Sequence, residues 1–272
     1  MPYHFISGLP RSGSTLLASI LAQNPNFRAS IMSPIGQVVT DAVTAMGPSN
    51  EASDIITTEQ RARMIRGIFA GFYHDIVWEA GDFHTVVFDN NRRWCANLAM
   101  IDAVFPDSKV ICCVRDIPDI VDSFERVFRL NPLLPSVIYG GTANFTVFNR
   151  VRSVLGDEAV LGFALNAFRD AFYGAFRKKL FIVEYVDLCT RPAGVMTELH
   201  AAINEAPFEY RFDKIEAVKG AAEFDRKLGT PGLHDLKSQV ILDPPQRTLP
   251  PEIVKSLPLP FWRVSEAVRK PR

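Results

Sequence analysis

The residues most able to do chemistry lie at the start of the chain. Gly8-Leu9-Pro10-Arg11-Ser12-Gly13-Ser14-Thr15 carries two glycines at the spacing of a GxxxxGK[ST] phosphate loop, with Ser14 in the lysine position. Gly8 and Gly13 let the backbone curl so that successive N–H groups point inward. A helix beginning near Ser14 adds its positive end. Ser12, Ser14 and Thr15 supply hydroxyl donors, and Arg11 is the one cation on the loop. Enzymes that split a triphosphate ordinarily place a lysine on the β- and γ-phosphates. Its replacement by serine, with an arginine three residues earlier, suits a diphosphate-like donor whose charge develops at a single bridging oxygen.

A second cluster follows an apolar run at Lys109–Val114. Arg115 leaves the end of that run, and Ser123 stands eight residues later in a helical pattern. An arginine with a hydroxyl is the expected pair for a second phosphate. Asp116 and Asp119 suit the start of the following helix better than a phosphate contact.

Positioning these groups requires an alternation of short strands and helices. Apolar runs at Tyr3–Ser7, Thr85–Phe88, Lys109–Val114 and Lys179–Glu184 are separated by helical patterns at 14–23, 35–46, 58–79, 93–104, 118–129, 157–176 and 191–204. Continuous apolar strands between helices predict an α/β fold: a parallel sheet with helices on both faces. Such sheets bind ligands at the carboxyl ends of their strands. Ser7-Gly8, Asp89, Arg115 and Tyr185 are therefore expected on one rim.

The segment Leu9–Leu17 resembles the 5′-phosphosulfate loop of PAPS-dependent sulfotransferases in its bacterial PRSGST form. The Arg115 and Ser123 spacing resembles that family's 3′-phosphate motif. The resemblance runs from the first strand to about residue 237. It implies the P-loop NTPase-like sulfotransferase fold, with PAPS as co-substrate and PAP as product. It places Pro10, Arg11, Ser12, Gly13, Ser14, Thr15 and Leu16 around the 5′-phosphosulfate, with Arg11 assisting the bridging oxygen. It places Arg115 and Ser123 on the 3′-phosphate. It also implies that Tyr185, at the end of Phe181–Glu184, lies near the nucleotide; a half-buried strand-end aromatic is the equal alternative. The stretch 228–237 looks like the late loop that closes over the 3′-phosphate, with Thr230, Gly232, His234 and Lys237 contributing. An exposed Pro/Gly surface loop is the other reading.

The catalytic base has no filled family position. No histidine stands at the end of the second strand, and Ala29–Ser33 holds no acid. Asp89 is the candidate base, with Arg92 facing the donor sulfate or the acceptor; an N-cap for the next helix is the other reading of Asp89. His4, His74, His84 and His200 read as structural or surface residues. No His/Cys/Asp cluster has metal spacing, so no metal is expected.

The 272 residues, 47% hydrophobic, suffice for one domain with one core. Lys+Arg and Asp+Glu balance at 30 each, which gives no reason to expect a nucleic-acid partner. No window is apolar for long enough to span a bilayer. Cys95, Cys112, Cys113 and Cys189 form no CxxC pair and fit free thiols in a reducing cytoplasm. Residues 130–156 read as an inserted lid or substrate element, and the Pro-rich stretch from Gly229 as a wrap over the surface. Trp78, Tyr139, Phe145 and Phe148 suit a small-molecule, carbohydrate or peptide acceptor alike, and the state of self-association stays open. Two rival functions share the loop: an ATP-dependent small-molecule kinase, against which the missing lysine argues, and a non-catalytic phosphate-binding protein.

Overall fold

The computed structural model describes residues 1–74, 85–140, 146–217, 220–244 and 247–263. Its elements run β1 (Tyr3–Gly8), α1 (Ser14–Leu21), β2 (Phe27–Ala29), α2 (Ile35–Ala45), α3 (Thr58–Phe72), β3 (Val86–Asn90), α4 (Leu98–Val104), β4 (Val110–Val114), α5 (Ile117–Leu130), α6 (Val147–Leu155), α7 (Val160–Tyr173), β5 (Leu180–Glu184), α8 (Tyr185–Thr190), α9 (Pro192–Ile203), α10 (Ala221–Leu228) and α11 (Pro251–Ser256). The five strands form one parallel sheet in the order β2-β3-β1-β4-β5.

The four expected strands are all present. The fifth, β2, is a three-residue edge strand paired with β3 from Phe27↔Val86 to Ala29↔Phe88. It is too short, and too close to Asn24-Pro25, to give a period of its own. The C-terminal part of the expected 58–79 helix lies outside the described residues.

Alternation along the strands divides the core. Phe5, Val87, Val110, Cys112 and Val114 face a layer built from α2, α3, α4, α5 and α7. Ile6, Val86, Phe88, Ile111, Cys113 and Val183 face α1, α8 and α9. Both faces of the sheet are therefore covered, as a parallel sheet without a solvated face requires. The amphipathic α5 buries Ile117, Ile120, Val121 and Phe124 on one side. Each such fully buried side chain contributes roughly 1.5–3 kcal/mol of transfer free energy.

The order in which strands are added reverses at β1, which pairs with β3 on one side and β4 on the other. That switch point puts a crevice beyond the carboxyl ends of the central strands. The segment expected as an insertion contains α6. Arg150 of α6 reaches Glu125 of α5 through Nε at 2.8 Å and Nη2 at 2.7 Å, both partners buried. Its guanidinium also lies 3.8 Å from the centre of the Phe128 ring. Among the described residues no helix is long and apolar enough to cross a membrane. All four cysteines are buried, with free thiols.

Candidate functional site

The phosphate loop is shaped by backbone demands that its sequence meets. Gly8 has φ +106°, and a Cβ there would lie 2.2 Å from the carbonyl oxygen of Cys113. Only glycine lets β1 run this close to β4, where the Leu9 N–H bonds the same carbonyl at 2.9 Å. Gly13 has φ +93°, and its Cβ would meet Tyr185 Cδ2 at 2.8 Å. Between them Arg11 adopts φ +59° without being glycine. Such a residue costs on the order of 1 kcal/mol and persists only where its surroundings enforce it.

The reward of this curl is a set of free donors. Among the described residues, none of the backbone N–H groups from Gly13 through Leu16 bonds an acceptor in the chain; Leu17 is the first, on Gly13 at 2.9 Å. The loop and the first turn of α1 thus present clustered unsatisfied donors at the positive end of a helix, which is the chemistry of an anion cradle. The Ser12 hydroxyl is not part of that cradle. It is buried and bonds back to the carbonyls of Leu9 and Cys113, the latter at 2.9 Å, so it fixes the loop from behind.

The two sequence clusters meet. Arg11 Nε donates to Ser123 Oγ at 3.0 Å across 112 residues of chain. Arg115 donates from Nη1 to the Arg11 carbonyl at 3.3 Å and stacks 4.3 Å from the centre of the Tyr185 ring. Its Nε is buried without a hydrogen bond. The Arg115 guanidinium disfavours the charged form of Arg11 beside it. Burial first, then Arg115, bring Arg11 down to about 10, with Asp225 opposing. Arg11 stays charged at neutral pH, and an anion between the two guanidiniums relieves the repulsion.

These groups line one cavity of about 1010 Å³, at the upper end of the roughly 300–1,000 Å³ of small-molecule sites. Its wall includes Pro10, Arg11, Gly13, Ser14, Thr15, Leu16, Arg92, Arg115, Ser123, Tyr185, His234 and Lys237. Lys237 is exposed and ion-paired with Asp243. Burial, ahead of Cys189, raises Tyr185 to about 12, so its hydroxyl stays protonated.

Besides Ser12, three expected residues are absent from the wall. Thr230 is buried, and Gly232 with φ +85° turns the loop; neither lines the cavity. Asp89, expected at the rim as the proton acceptor, is fully buried and outside the cavity lining. Its Oδ2 accepts from Ser33 Oγ at 2.5 Å and Tyr73 Oη at 2.7 Å, and its Oδ1 accepts from Trp94 Nε1 at 2.7 Å. Strand parity explains this. Asp89 shares the face of Val87, toward α3, whereas Asn90 lies one residue on and lines the cavity. Burial raises the Asp89 carboxyl, and the three donors oppose it. The alternative cap role belongs to Asn91, whose side chain accepts from Arg93 N–H at 3.0 Å.

Of the aromatics expected at an acceptor, Trp78 and Phe145 lie outside the described residues. Tyr139 is buried with its hydroxyl on the Phe124 carbonyl at 2.8 Å, and Phe148 is exposed. Neither lines the cavity. Sequence reasoning missed Arg93, Asn90 and Asp225. Arg93 and Asn90 adjoin the expected rim. Asp225 stands nine residues before His234 and is joined to it only by the turn at Gly229 and Gly232.

The sulfotransferase family model matches residues 2–209. Among solved structures, the sulfotransferase domain from the curacin biosynthetic pathway aligns at TM-score 0.55 and 16% identity, over 100% of this chain and 99% of its own. The sulfotransferase domain from the Synechococcus PCC 7002 olefin synthase aligns at TM-score 0.50 and 17% identity, over 100% of this chain and 96% of its own. At these identities the structures speak to the fold. No curated protein matches. The family match covers both anion motifs and all five strands of the sheet, and on it the chain belongs to the sulfotransferase family.

Proposed function

We propose that this sulfotransferase moves a sulfuryl group from PAPS to a hydroxyl or amine acceptor and releases PAP. The observation that carries the donor assignment is the meeting of two anion sites: the free N–H groups of the phosphate loop, and the Arg11–Ser123–Arg115 cluster beside them. A nucleotide with phosphates on both its 5′ and 3′ positions uses both.

The residues divide the work. The N–H groups of Ser14, Thr15 and Leu16, with the Ser14 and Thr15 hydroxyls, hold the 5′-phosphate. Arg11 stabilises charge growing on the bridging oxygen as the sulfur–oxygen bond breaks. Arg115 and Ser123 hold the 3′-phosphate, and Tyr185 packs beside them. Arg92, which lines the cavity and has no carboxylate partner among the described residues, faces the sulfuryl group or an anionic part of the acceptor. Small-molecule, carbohydrate and peptide acceptors all suit a cavity of this volume. The buried free thiols support a reducing cytoplasmic setting.

The test is incubation with sulfur-labelled PAPS and a panel of hydroxyl and amine acceptors. Labelled product with stoichiometric PAP supports the reading. Label transfer from γ-phosphate-labelled ATP instead would make the chain a kinase. Tight PAP binding with no transfer to any acceptor would make it a binding protein.

A further inference from the structure

With Asp89 sealed behind the wall, a histidine–aspartate pair at the cavity is suited to taking a proton. His234 lines the cavity, and its Nδ1 lies 2.5 Å from Asp225 Oδ1. The other carboxylate oxygen, Oδ2, accepts the His234 backbone N–H at 2.8 Å. Both oxygens of a fully buried aspartate are therefore spent on one histidine. The positions are set by the fold. Asp225 comes from α10, and the chain reverses through Gly229 at φ +71° and Gly232 at φ +85°. Along the way Thr230 N–H bonds the Asp225 carbonyl at 2.9 Å, and Leu233 N–H the Thr230 carbonyl at 3.1 Å. Phe224 packs against the imidazole, ring centres 5.6 Å apart.

This arrangement has a chemical consequence. A carboxylate on Nδ1 keeps the proton there, which leaves the Nε2 lone pair free to accept one. The same carboxylate stabilises the imidazolium that forms, as in other His–Asp pairs that serve as general bases. The pair also lies within electrostatic reach of Arg11, whose proton affinity Asp225 raises.

We propose that His234 is the general base of the transfer reaction and that Asp225 is its positioning residue. This rests on the sulfotransferase reading above. The acceptor oxygen or nitrogen loses its proton to His234 Nε2 as it forms a bond to sulfur. The bond between sulfur and the bridging oxygen breaks, and its electron pair leaves with the 5′-phosphate beside Arg11. The proton then passes from Nε2 to solvent. The charged groups that share the cavity wall with His234 are Asp235, Lys237 and Asp243 of the late segment, Arg11 of the phosphate loop, Arg115, Asp119, Asp122 and Arg126 at β4–α5, Arg92 and Arg93 after β3, and Glu158 before α7.

The experiment uses the full chain with a working acceptor, and compares wild type, His234→Gln and Asp225→Asn. Three quantities are read: PAP affinity by calorimetry, turnover against pH, and the tautomer of His234 by nitrogen NMR in the PAP complex. His234→Gln is expected to bind PAP within about threefold of wild type while turnover falls on the order of a hundredfold or more. Its pH–rate profile loses the acid limb seen in wild type. Asp225→Asn reverses the hydrogen bond at Nδ1 and lowers turnover with the same spared PAP affinity. NMR shows a neutral ring protonated on Nδ1. Turnover within threefold of wild type in His234→Gln overturns the proposal. So does an equal loss of PAP affinity and turnover, or an imidazolium locked in the PAP complex, because either makes His234 a phosphate ligand. Failure of wild type to bind PAP at all is a separate result, and it removes the donor assignment itself.

Discussion

Asp89→Asn separates a structural carboxylate from a catalytic one. Trp94 Nε1 can only donate, so the asparagine must keep its oxygen toward the indole, 2.7 Å away in wild type. Its NH₂ then faces Ser33 Oγ and Tyr73 Oη, both of which donate to the aspartate. Both hydroxyls must turn round. Ser33 already accepts the Ile35 N–H at 3.2 Å, so its reversal crowds a second donor onto one oxygen. A buried donor left without its acceptor costs about 1–3 kcal/mol. Two such donors, partly offset by new bonds from the NH₂, give about 2–4 kcal/mol. At about 2–4 °C per kcal/mol in chains of this general size, the melting temperature falls by roughly 5–15 °C. The assay is a urea titration for stability, with PAP affinity and turnover measured well below the onset of unfolding. Turnover per folded molecule is expected to stay within a few-fold of wild type. Unchanged stability with a hundredfold loss of turnover would refute the reasoning and return the base to Asp89.

Three further outcomes follow from the same geometry. Gly13→Ala places a Cβ against Tyr185 Cδ2 at φ +93°; PAP affinity by calorimetry is expected to fall at least about tenfold, or about 1.4 kcal/mol, and unchanged affinity contradicts the loop geometry. Arg11→Ala lowers turnover more than PAPS affinity, because its charge acts most on the leaving oxygen; normal turnover with weaker binding would make it a binding residue only. His4 is buried, accepts the Lys109 N–H on Nδ1 at 3.1 Å, and is pulled down to about 4 by burial and then Lys109. The unfolded chain, with an ordinary histidine near 6.5, binds the extra proton between those values. Stability at neutral pH is therefore lost as pH falls from about 6.5 to about 4, by roughly 3 kcal/mol at 1.36 kcal/mol per unit. His4→Asn, which keeps an acceptor and removes the titration, should flatten that limb in acid denaturation curves.

Much of the site was legible because its signals are local. The glycine spacing and the Arg115–Ser123 interval each lie within a strand, a turn and one helix, and the sheet brings them together. What the sequence hid was set by tertiary parity and turns. Whether Asp89 or Asn90 reaches the rim depends on which face of β3 each side chain takes, and a strand buried on both faces does not declare that in its sequence. The three residues of β2 have no readable period and exist through pairing with β3. The His234–Asp225 pair joins a loop residue to a helix residue through two left-handed glycines. Thr230 and Gly232 were expected to touch the nucleotide; in the fold they shape that turn.

The central claim is that the cavity recognises a nucleotide carrying a 3′-phosphate. Calorimetric titration with PAP and with AMP tests it most directly, in wild type and in Arg115→Ala. Charge-assisted bonds from Arg115 and Ser123 are worth about 1.5–3 kcal/mol each. Wild type is therefore expected to prefer PAP by at least about a hundredfold, and Arg115→Ala to lose most of that preference while binding AMP nearly as before. Equal affinity of wild type for PAP and AMP would contradict the account.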